Sequence, residues 1–209
     1  MEGFYTVVKD TAAEQIIDKS RFIALVSMVT SVEDTQRHRQ TVEDQYPNAR
    51  HYVYAYRIHE GRLEKASDDG EPQGTGGRPV LDLLQHRQLW NIQIIVVRYF
   101  GGVLLGTGGL TRAYGGTARL ALEETMITLL IPHYIYQLRV PYSMYEQIKY
   151  QIRQKNWDTS PEQFSEQVTF DIFIPEEEAG GFEQWLIEYT NKHVPYENVG
   201  TVLRTAKIV

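Results

Sequence analysis

Before residue 133, apolar and polar positions follow patterns that predict strands separated by helices. Runs of strand length that are rich in β-branched and apolar residues occupy 4–8, 21–29, 51–59 and 92–100. The last of these runs is the most apolar in the chain, which favours a buried central strand. In the third run, Tyr52, Tyr54 and Tyr56 fall on one face, which either packs beneath a helix or stacks against RNA bases.

Three helices are predicted in the same part of the chain. Ser31 and Asp34 have the spacing of a capping box, and Pro47 stops the helix that this box opens. Apolar residues at helical spacing predict a second helix at 79–87 and a third after the glycine loop at 101–109. Two polar segments are interpreted as connections: 9–20 and 64–78.

The remainder of the chain has the pattern of a compact β-α-β-β-α-β unit. Its strands are expected at 134–140, 157–165, 167–174 and 194–205. One helix carries Tyr145, Ile148 and Ile152 on one side, and another opens at Pro175 with three glutamates that suit the helix dipole. This order is the split β-α-β pattern, so a ferredoxin-like C-terminal domain is expected.

Glycine usage separates these two parts, since 13 of the 16 glycines precede residue 133. The chain of 209 residues is also longer than the most common domain size of about 100–150 residues. We therefore predict an α+β protein with two domains, residues 1–132 and residues 133–209.

The composition excludes several kinds of chemistry. The chain has no cysteine, which rules out disulfides, thiolate nucleophiles, cysteine-ligated zinc and iron–sulfur clusters. Its net charge of −6 argues against coating nucleic acid by bulk attraction but leaves room for a local basic stripe. No signal peptide or membrane-spanning run is present, so a cytoplasmic protein without a membrane partner is expected. Readout of a DNA sequence is not expected.

The first candidate site joins the most apolar strand to the third helix. It lacks the lysine of a P-loop, and it has Thr111 where a dinucleotide fingerprint has its third glycine. No standard catalytic motif is present, so no catalytic residue is assigned. Glycine N–H groups and a helix start favour an anion, which gives this candidate set: Arg98, Gly101, Gly102, Gly106, Thr107, Gly108, Gly109 and Arg112. Tight turns and close helix packing would explain the same glycines equally well.

The second candidate site places three carboxylates close together. Asp68, Asp69 and Glu71 could hold Mg²⁺ or exchange protons, or they could cap turns and face solvent. The residues assigned to this second loop are Ser67, Asp68, Asp69, Gly70, Glu71, Gly74 and Thr75. Four further side chains complete the candidate binding residues: Lys19, Arg21, His51 and Arg78.

Three stretches of the sequence carry a family resemblance. Residues 19–23, 67–79 and 97–110 resemble the IMPACT family in its bacterial, YigZ-type branch. The resemblance implies a first domain with the fold shared by ribosomal protein S-five, domain IV of elongation factor G and the GHMP kinases. It implies a second, ferredoxin-like domain similar to domain V of elongation factor G.

The resemblance also implies a function. Eukaryotic IMPACT proteins restrain a starvation-responsive kinase of translation initiation by competing for its activator, partly through an additional RWD domain. This chain starts at the first strand of the shared domain, so that kinase connection is not carried over. The expectation is a cytosolic, translation-linked regulator of the stress-response type. It binds RNA, the ribosome or a translation protein through its first domain, and no cofactor is expected.

Two other functions stay open at this point. A phosphate- or nucleotide-binding enzyme would use the segment 101–109 as a phosphate cradle, with Mg²⁺ at Asp68, Asp69 or Glu71. The GHMP kinases give this reading a precedent at the level of the fold alone. A protein-binding scaffold would leave both glycine-containing loops purely structural.

Overall fold

A computed structural model describes residues 3–206 of the chain. These residues form two compact units, the first from Phe4 to Leu129 and the second from Leu130 onward together with Gly3. Each unit has its own hydrophobic core. No helix among residues 3–206 combines the length and the apolar character that a membrane crossing requires.

The first unit is built on a five-stranded antiparallel sheet. Its strands are β2 (Thr11–Ile17), β3 (Ser20–Met28), β4 (His51–Ile58), β5 (Leu63–Ser67) and β6 (Ile92–Tyr99), and a short strand that is not part of this sheet, β1 (Phe4–Val7), precedes them. The order in the sheet is β2-β3-β6-β4-β5. Strand β6 lies at the centre and is buried at every residue except Tyr99, as its apolar sequence predicts.

Helices pack on both faces of this sheet. They are α1 (Val32–Gln45), α2 (Gly77–His86) and α3 (Gly106–Glu123). Val42 of α1 packs on one face with Ile95, Tyr52 and Tyr54. Helices α2 and α3 pack on the other face, against a cluster that includes Phe22. The tyrosine face of β4 therefore packs beneath a helix, which is one of the two roles predicted for it.

The capping box predicted for α1 is confirmed, since the Asp34 N–H donates to Ser31 Oγ at 3.1 Å.

The two predicted connections are wrong in part, because they contain the edge strands β2 and β5. Every second residue of β2 is exposed, so its sequence lacks the apolar run of a buried strand. The predicted loop at 101–109 is also too long, because α3 begins at Gly106.

The second unit follows the predicted β-α-β-β-α-β order. Its elements are β7 (Ile127–Val140, which starts in the first unit), α4 (Tyr142–Gln154), β8 (Asp158–Thr159), β9 (Gln163–Phe164), β10 (Val168–Pro175), α5 (Ala179–Thr190) and β11 (Tyr196–Thr205). The antiparallel order is β11-β7-β10-β8, and β9 also pairs with β10. Leu138, Ile148, Phe170 and Phe182 contribute to the core between sheet and helices.

Two details of this unit differ from the sequence pattern. The strand predicted at 157–165 is divided into β8 and β9, with Pro161 between them, because proline cannot donate a ladder hydrogen bond. The helix predicted to open after Pro175 starts with a short 3₁₀ turn at Glu176–Glu178, and α5 follows it. The predicted boundary after residue 132 falls inside β7 and stays a prediction.

Candidate functional site

The first unit contains a cavity of about 990 Å³ where the start of β4, the end of β6 and the start of α3 meet. Five of the predicted site residues line it: His51, Glu71, Arg98, Gly106 and Thr107. The fold therefore brings parts of both glycine-containing loops to one place. The other predicted site residues do not line this cavity.

A buried carboxylate lies in the wall of the cavity. Glu71 Oε1 accepts hydrogen bonds from Arg98 Nη1 at 2.6 Å and from the Tyr114 hydroxyl at 2.7 Å. The side chains of Glu71 and Arg98 are only 4% and 6% exposed. Burial, together with the hydrogen bond to Glu71, raises the pKa of Tyr114, so its hydroxyl stays a donor at neutral pH. This arrangement is a buried ion pair with a second donor on the same oxygen.

Arg98 also contacts groups other than its carboxylate partner. Its Nη2 lies 3.4 Å from Ser20 Oγ, and its guanidinium carbon lies 5.4 Å from the ring centres of Phe22 and Phe100. Its Nε atom is buried and has no acceptor among the residues that the structure describes. Buried donors without a partner are rare in folded proteins, so this Nε is an open hydrogen-bonding position of the site.

The ring of His51 has a defined orientation. Its Nδ1 lies 2.7 Å from the carbonyl oxygen of Asp69. A carbonyl only accepts, so in the neutral ring Nδ1 carries the proton and Nε2 carries a lone pair. This Nε2 lies 3.8 Å from Glu71 Oε1. In this tautomer, Nε2 of His51 can accept a hydrogen bond from a donor in the cavity, which His51 lines.

The three carboxylates of the second loop have separate partners. Asp68 accepts from the N–H groups of Gly74, Gly76 and Gly77 at 2.8–2.9 Å, so it binds the start of α2. Asp69 accepts from the Tyr52 N–H at 2.7 Å. Within residues 3–206, no three His, Asp or Glu side chains lie close enough together to hold a metal ion. The magnesium hypothesis thus stays a prediction that this geometry does not support.

The remaining residues of this loop shape its turns. The Ser67 hydroxyl oxygen accepts from the Asp69 N–H at 3.2 Å, and the Thr75 hydroxyl donates to the Pro72 carbonyl at 2.7 Å. Gly70 has a φ of +87°, a value that glycine adopts at little cost.

Asp68→Ala is expected to lower the free energy of unfolding by about 1.5–3 kcal/mol at neutral pH, because three N–H groups lose a charged acceptor. Burial acts to raise the pKa of Asp68, but the three hydrogen bonds outweigh burial and hold the pKa below its ordinary value of 3.8. The carboxylate therefore stabilises the fold above pH 3.8, and this contribution is lost as the pH falls through the lower, folded-state pKa.

Urea denaturation of wild type and Asp68→Ala across this acid range measures the effect. The stability difference should shrink as the pH falls. A difference that does not depend on pH would contradict the assignment to the ionised carboxylate.

We call the segment 101–109 the first loop. Its glycines differ in whether and why the structure requires glycine at their positions. A Cβ on Gly101 would lie 2.0 Å from the carbonyl carbon of Lys19, so close approach of two backbones requires glycine there. Gly102 and Gly106 have φ values of +85° and +66°. Gly108 has an ordinary helical backbone, and its Cβ would meet only Arg112 Nη1, at 3.5 Å. Architecture therefore explains Gly101 but not Gly108.

The start of α3 has no capping side chain. Leu105 occupies the N-cap position and forms no side-chain cap, and no acidic residue lies in the first turn. The first N–H groups of a helix have no partner within the helix, and they carry roughly half a positive charge. Gly106 and Thr107 of this turn line the cavity. The positive end of α3 therefore meets the cavity.

The exposed basic residues near the first loop divide into paired and free side chains. Arg21 pairs with Glu14 at 2.7 Å, and Arg78 pairs with Asp82 at 2.7 Å. Near this loop, three exposed cations form no ion pair with any residue that the structure describes: Lys19, Arg50 and Arg112. We refer to these three as the free cations. All three residues lie near the first loop, since the backbone of Lys19 lies against Gly101, the Arg112 side chain lies beside Gly108, and Arg50 lines the cavity.

Comparison with known proteins decides the family. The sequence matches the Impact N-terminal domain over residues 18–122 and a domain of unknown function, DUF1949, over residues 138–191. IMPACT family member YvyE of Bacillus subtilis is 35% identical over 91% of this chain and 88% of its own. The chain belongs to the IMPACT family. The predicted resemblance is confirmed.

Two further comparisons cover much of this IMPACT chain. IMPACT family member YigZ of Escherichia coli is 36% identical over 68% of this chain and 71% of its own. A crystal structure described as that of a hypothetical protein is 28% identical and covers 96% of this chain and 98% of its own, with a TM-score of 0.64. The cavity lies entirely within the Impact N-terminal domain.

Sequence reasoning missed several residues of this IMPACT-family site, among them Arg50, Phe100 and Tyr114. Arg50 lines the cavity directly before His51, and its position at a strand start was the available signal. Phe100 also lines the cavity and is 49% exposed, although it ends the most apolar run of the sequence. Tyr114 has the spacing of a core residue of α3, and nothing local indicates that its hydroxyl meets Glu71.

Proposed function

We propose that this IMPACT-family protein is a cytoplasmic, translation-linked regulator that binds RNA through its first unit. Membership of the family supports a translation-related regulatory role. One observation carries the RNA proposal: the uncapped start of α3 meets a cavity, and the free cations lie near the loop that leads into this helix.

The chemistry of this surface suits a polyanion. Helix N–H groups and arginines both hold phosphate oxygens well. The chain as a whole carries a charge of −6 and repels nucleic acid at long range, so binding depends on this local group of cations. Ribosomal RNA presents the same phosphate groups, so binding to the ribosome is part of the RNA proposal. A translation protein would have to present clustered carboxylates to use the same surface.

Arg50→Ala and Arg112→Ala are each expected to weaken binding of a short single-stranded RNA about tenfold, because each removes one charge-assisted phosphate contact. If each free cation meets one phosphate, the logarithm of affinity should fall against the logarithm of salt concentration with a slope of roughly −2. Each variant should reduce that slope by about 0.7. Fluorescence anisotropy of labelled RNA, titrated with the full chain at several KCl concentrations, measures both quantities.

Arg78→Ala is the matched control. It removes the same charge from the same unit, but Arg78 already pairs with Asp82, so RNA affinity should change by less than about twofold. An equal loss for Arg78→Ala would indicate non-specific attraction. A wild-type protein with no affinity for RNA at low salt would overturn the RNA proposal and favour a protein partner.

We also propose that the two units have the folds of elongation factor G domains IV and V, the first shared with ribosomal protein S-five. The antiparallel order β11-β7-β10-β8 with two helices supports this proposal for the second unit. Superposition of each unit on those domains is the test. Strands that fail to match in order would overturn the proposal.

A further inference from the structure

The cavity of the first unit is lined by polar residues, which we call its polar side, and by apolar residues, which we call its apolar side. Arg98 and the first turn of α3 form part of the polar side. Phe100 and Leu104 belong to the apolar side, and they are 49% and 87% exposed. Ligand sites of this volume combine apolar walls with a few polar groups that fix the orientation of the ligand.

Two independent observations favour an anion on the polar side, although the Glu71 carboxylate, which pairs with Arg98, also lines the cavity. The first turn of α3 has no capping side chain and no acidic residue. Arg98, which is 5% exposed, has a buried Nε without an acceptor among the described residues. Helix α2 shows the contrast, because there the carboxylate of Asp68 accepts from the N–H groups of Gly76 and Gly77. At α3, no side chain fills this role, so the first N–H groups remain open to a ligand.

The apolar side suits a flat ring. Aromatic side chains beside a basic groove bind unpaired nucleic-acid bases by stacking. Phe100 lies at the end of β6, directly before Gly101, and its ring is 5.4 Å from the guanidinium carbon of Arg98. An exposed leucine gains when a ring covers it, because apolar surface is removed from water. One ligand that carries both a ring and a phosphate would satisfy both sides of the cavity.

We propose that this cavity binds one unpaired nucleotide of a single-stranded RNA, with the phosphate at the start of α3 near Arg98 and the base against Phe100 and Leu104. This proposal rests on the proposed RNA-binding function. It adds the part of the RNA that the cavity recognises, which is a base outside a duplex. Bases within a duplex are stacked and paired, so they cannot enter a cavity of this kind.

Binding to three probes of equal length tests the proposal: a single-stranded RNA, the same strand with abasic residues, and a duplex. Wild type should bind the single strand about tenfold more tightly than either of the other two. Phe100→Ala and Leu104→Ser should each weaken single-strand binding about tenfold and leave the salt slope unchanged, because no phosphate contact is lost. Phe100→Tyr should keep the wild-type affinity, since it keeps the ring.

Ile16→Ser is the matched control for lost apolar surface. Ile16 is 70% exposed on β2 and does not line the cavity, so its variant should bind like wild type. If Phe100→Ala lowers the melting temperature, Leu104→Ser decides the result, because a side chain that is 87% exposed contributes little to the core.

The possible failures are distinguishable. Wild-type affinity in both Phe100→Ala and Leu104→Ser would overturn the base contact and leave the RNA proposal standing. No RNA affinity in wild type at low salt would overturn both. Displacement of the RNA by an equimolar amount of AMP would identify a free nucleotide as the ligand and overturn the assignment to RNA.

Discussion

Gly101→Ala is expected to lower the free energy of unfolding by about 3 kcal/mol. This loss is at the upper end of the range that is typical of substitutions that overpack a folded protein. The added Cβ would lie 2.0 Å from the carbonyl carbon of Lys19 and 2.4 Å from the backbone nitrogen of Ser20. These are backbone atoms of the turn between β2 and β3, so no side-chain rotation relieves the clash. The Gly101 N–H also donates to Ser20 Oγ at 3.2 Å, and a displaced loop would lose this hydrogen bond. Urea denaturation of the full chain measures the loss.

Gly108→Ala is the control for this variant. Its Cβ would meet only the flexible Arg112 side chain, at 3.5 Å, and it lies in the first turn of α3. Replacing a helical glycine by alanine stabilises a helix by roughly 0.5–1 kcal/mol. A Gly101→Ala protein as stable as Gly108→Ala would show that the backbone approach at Lys19 does not constrain the fold.

Arg98→Met is expected to destabilise the protein by about 3–5 kcal/mol, because it leaves the carboxylate of Glu71 buried without a cation. The two side chains are 6% and 4% exposed, so water cannot replace the lost partner without a rearrangement. The Tyr114 hydroxyl would remain as a donor at 2.7 Å, which offsets only part of the loss. Thermal and urea unfolding of the full chain give the magnitude.

The double variant Arg98→Met with Glu71→Gln separates charge from packing. Glutamine keeps an acceptor for Tyr114 but removes the buried charge, so the double variant should regain more than half of the lost stability. A double variant as unstable as the sum of both single variants would show that the two side chains do not act as an ion pair.

The parts of the fold that could be predicted are those with a local signal. The apolar run of β6 indicated its central position, and Ser31 with Asp34 indicated the start of α1. The edge strands were missed, because β2 and β5 each expose much of their surface and read as polar connections. The type of an element is predicted from the periodic pattern of its apolar residues, and this pattern is weak in an exposed edge strand.

The candidate site shows a different limit. The sequence indicated His51, Glu71, Arg98 and the loop before α3 as separate candidates. Their meeting depends on β4 and β6 being neighbours, since this pairing puts His51 opposite Arg98. The partner of Arg98 could not be assigned beforehand, because Glu71 is 27 residues away and competes with Asp68 and Asp69 in the same loop. Which carboxylate turns inward is decided by tertiary contacts alone.

The central place of β6 in the first unit also affects how the chain is built during synthesis. Strand β6 joins β3 to β4, yet it is the last of the sheet strands to be made. Until it emerges, β3 and β4 each lack the hydrogen-bonded partner strand along one edge. Pairing of distant segments slows folding, and unpaired strands are prone to aggregate. The growing chain is therefore most vulnerable to aggregation before residue 99 has left the ribosome, and closure of the sheet around β6 ends that interval.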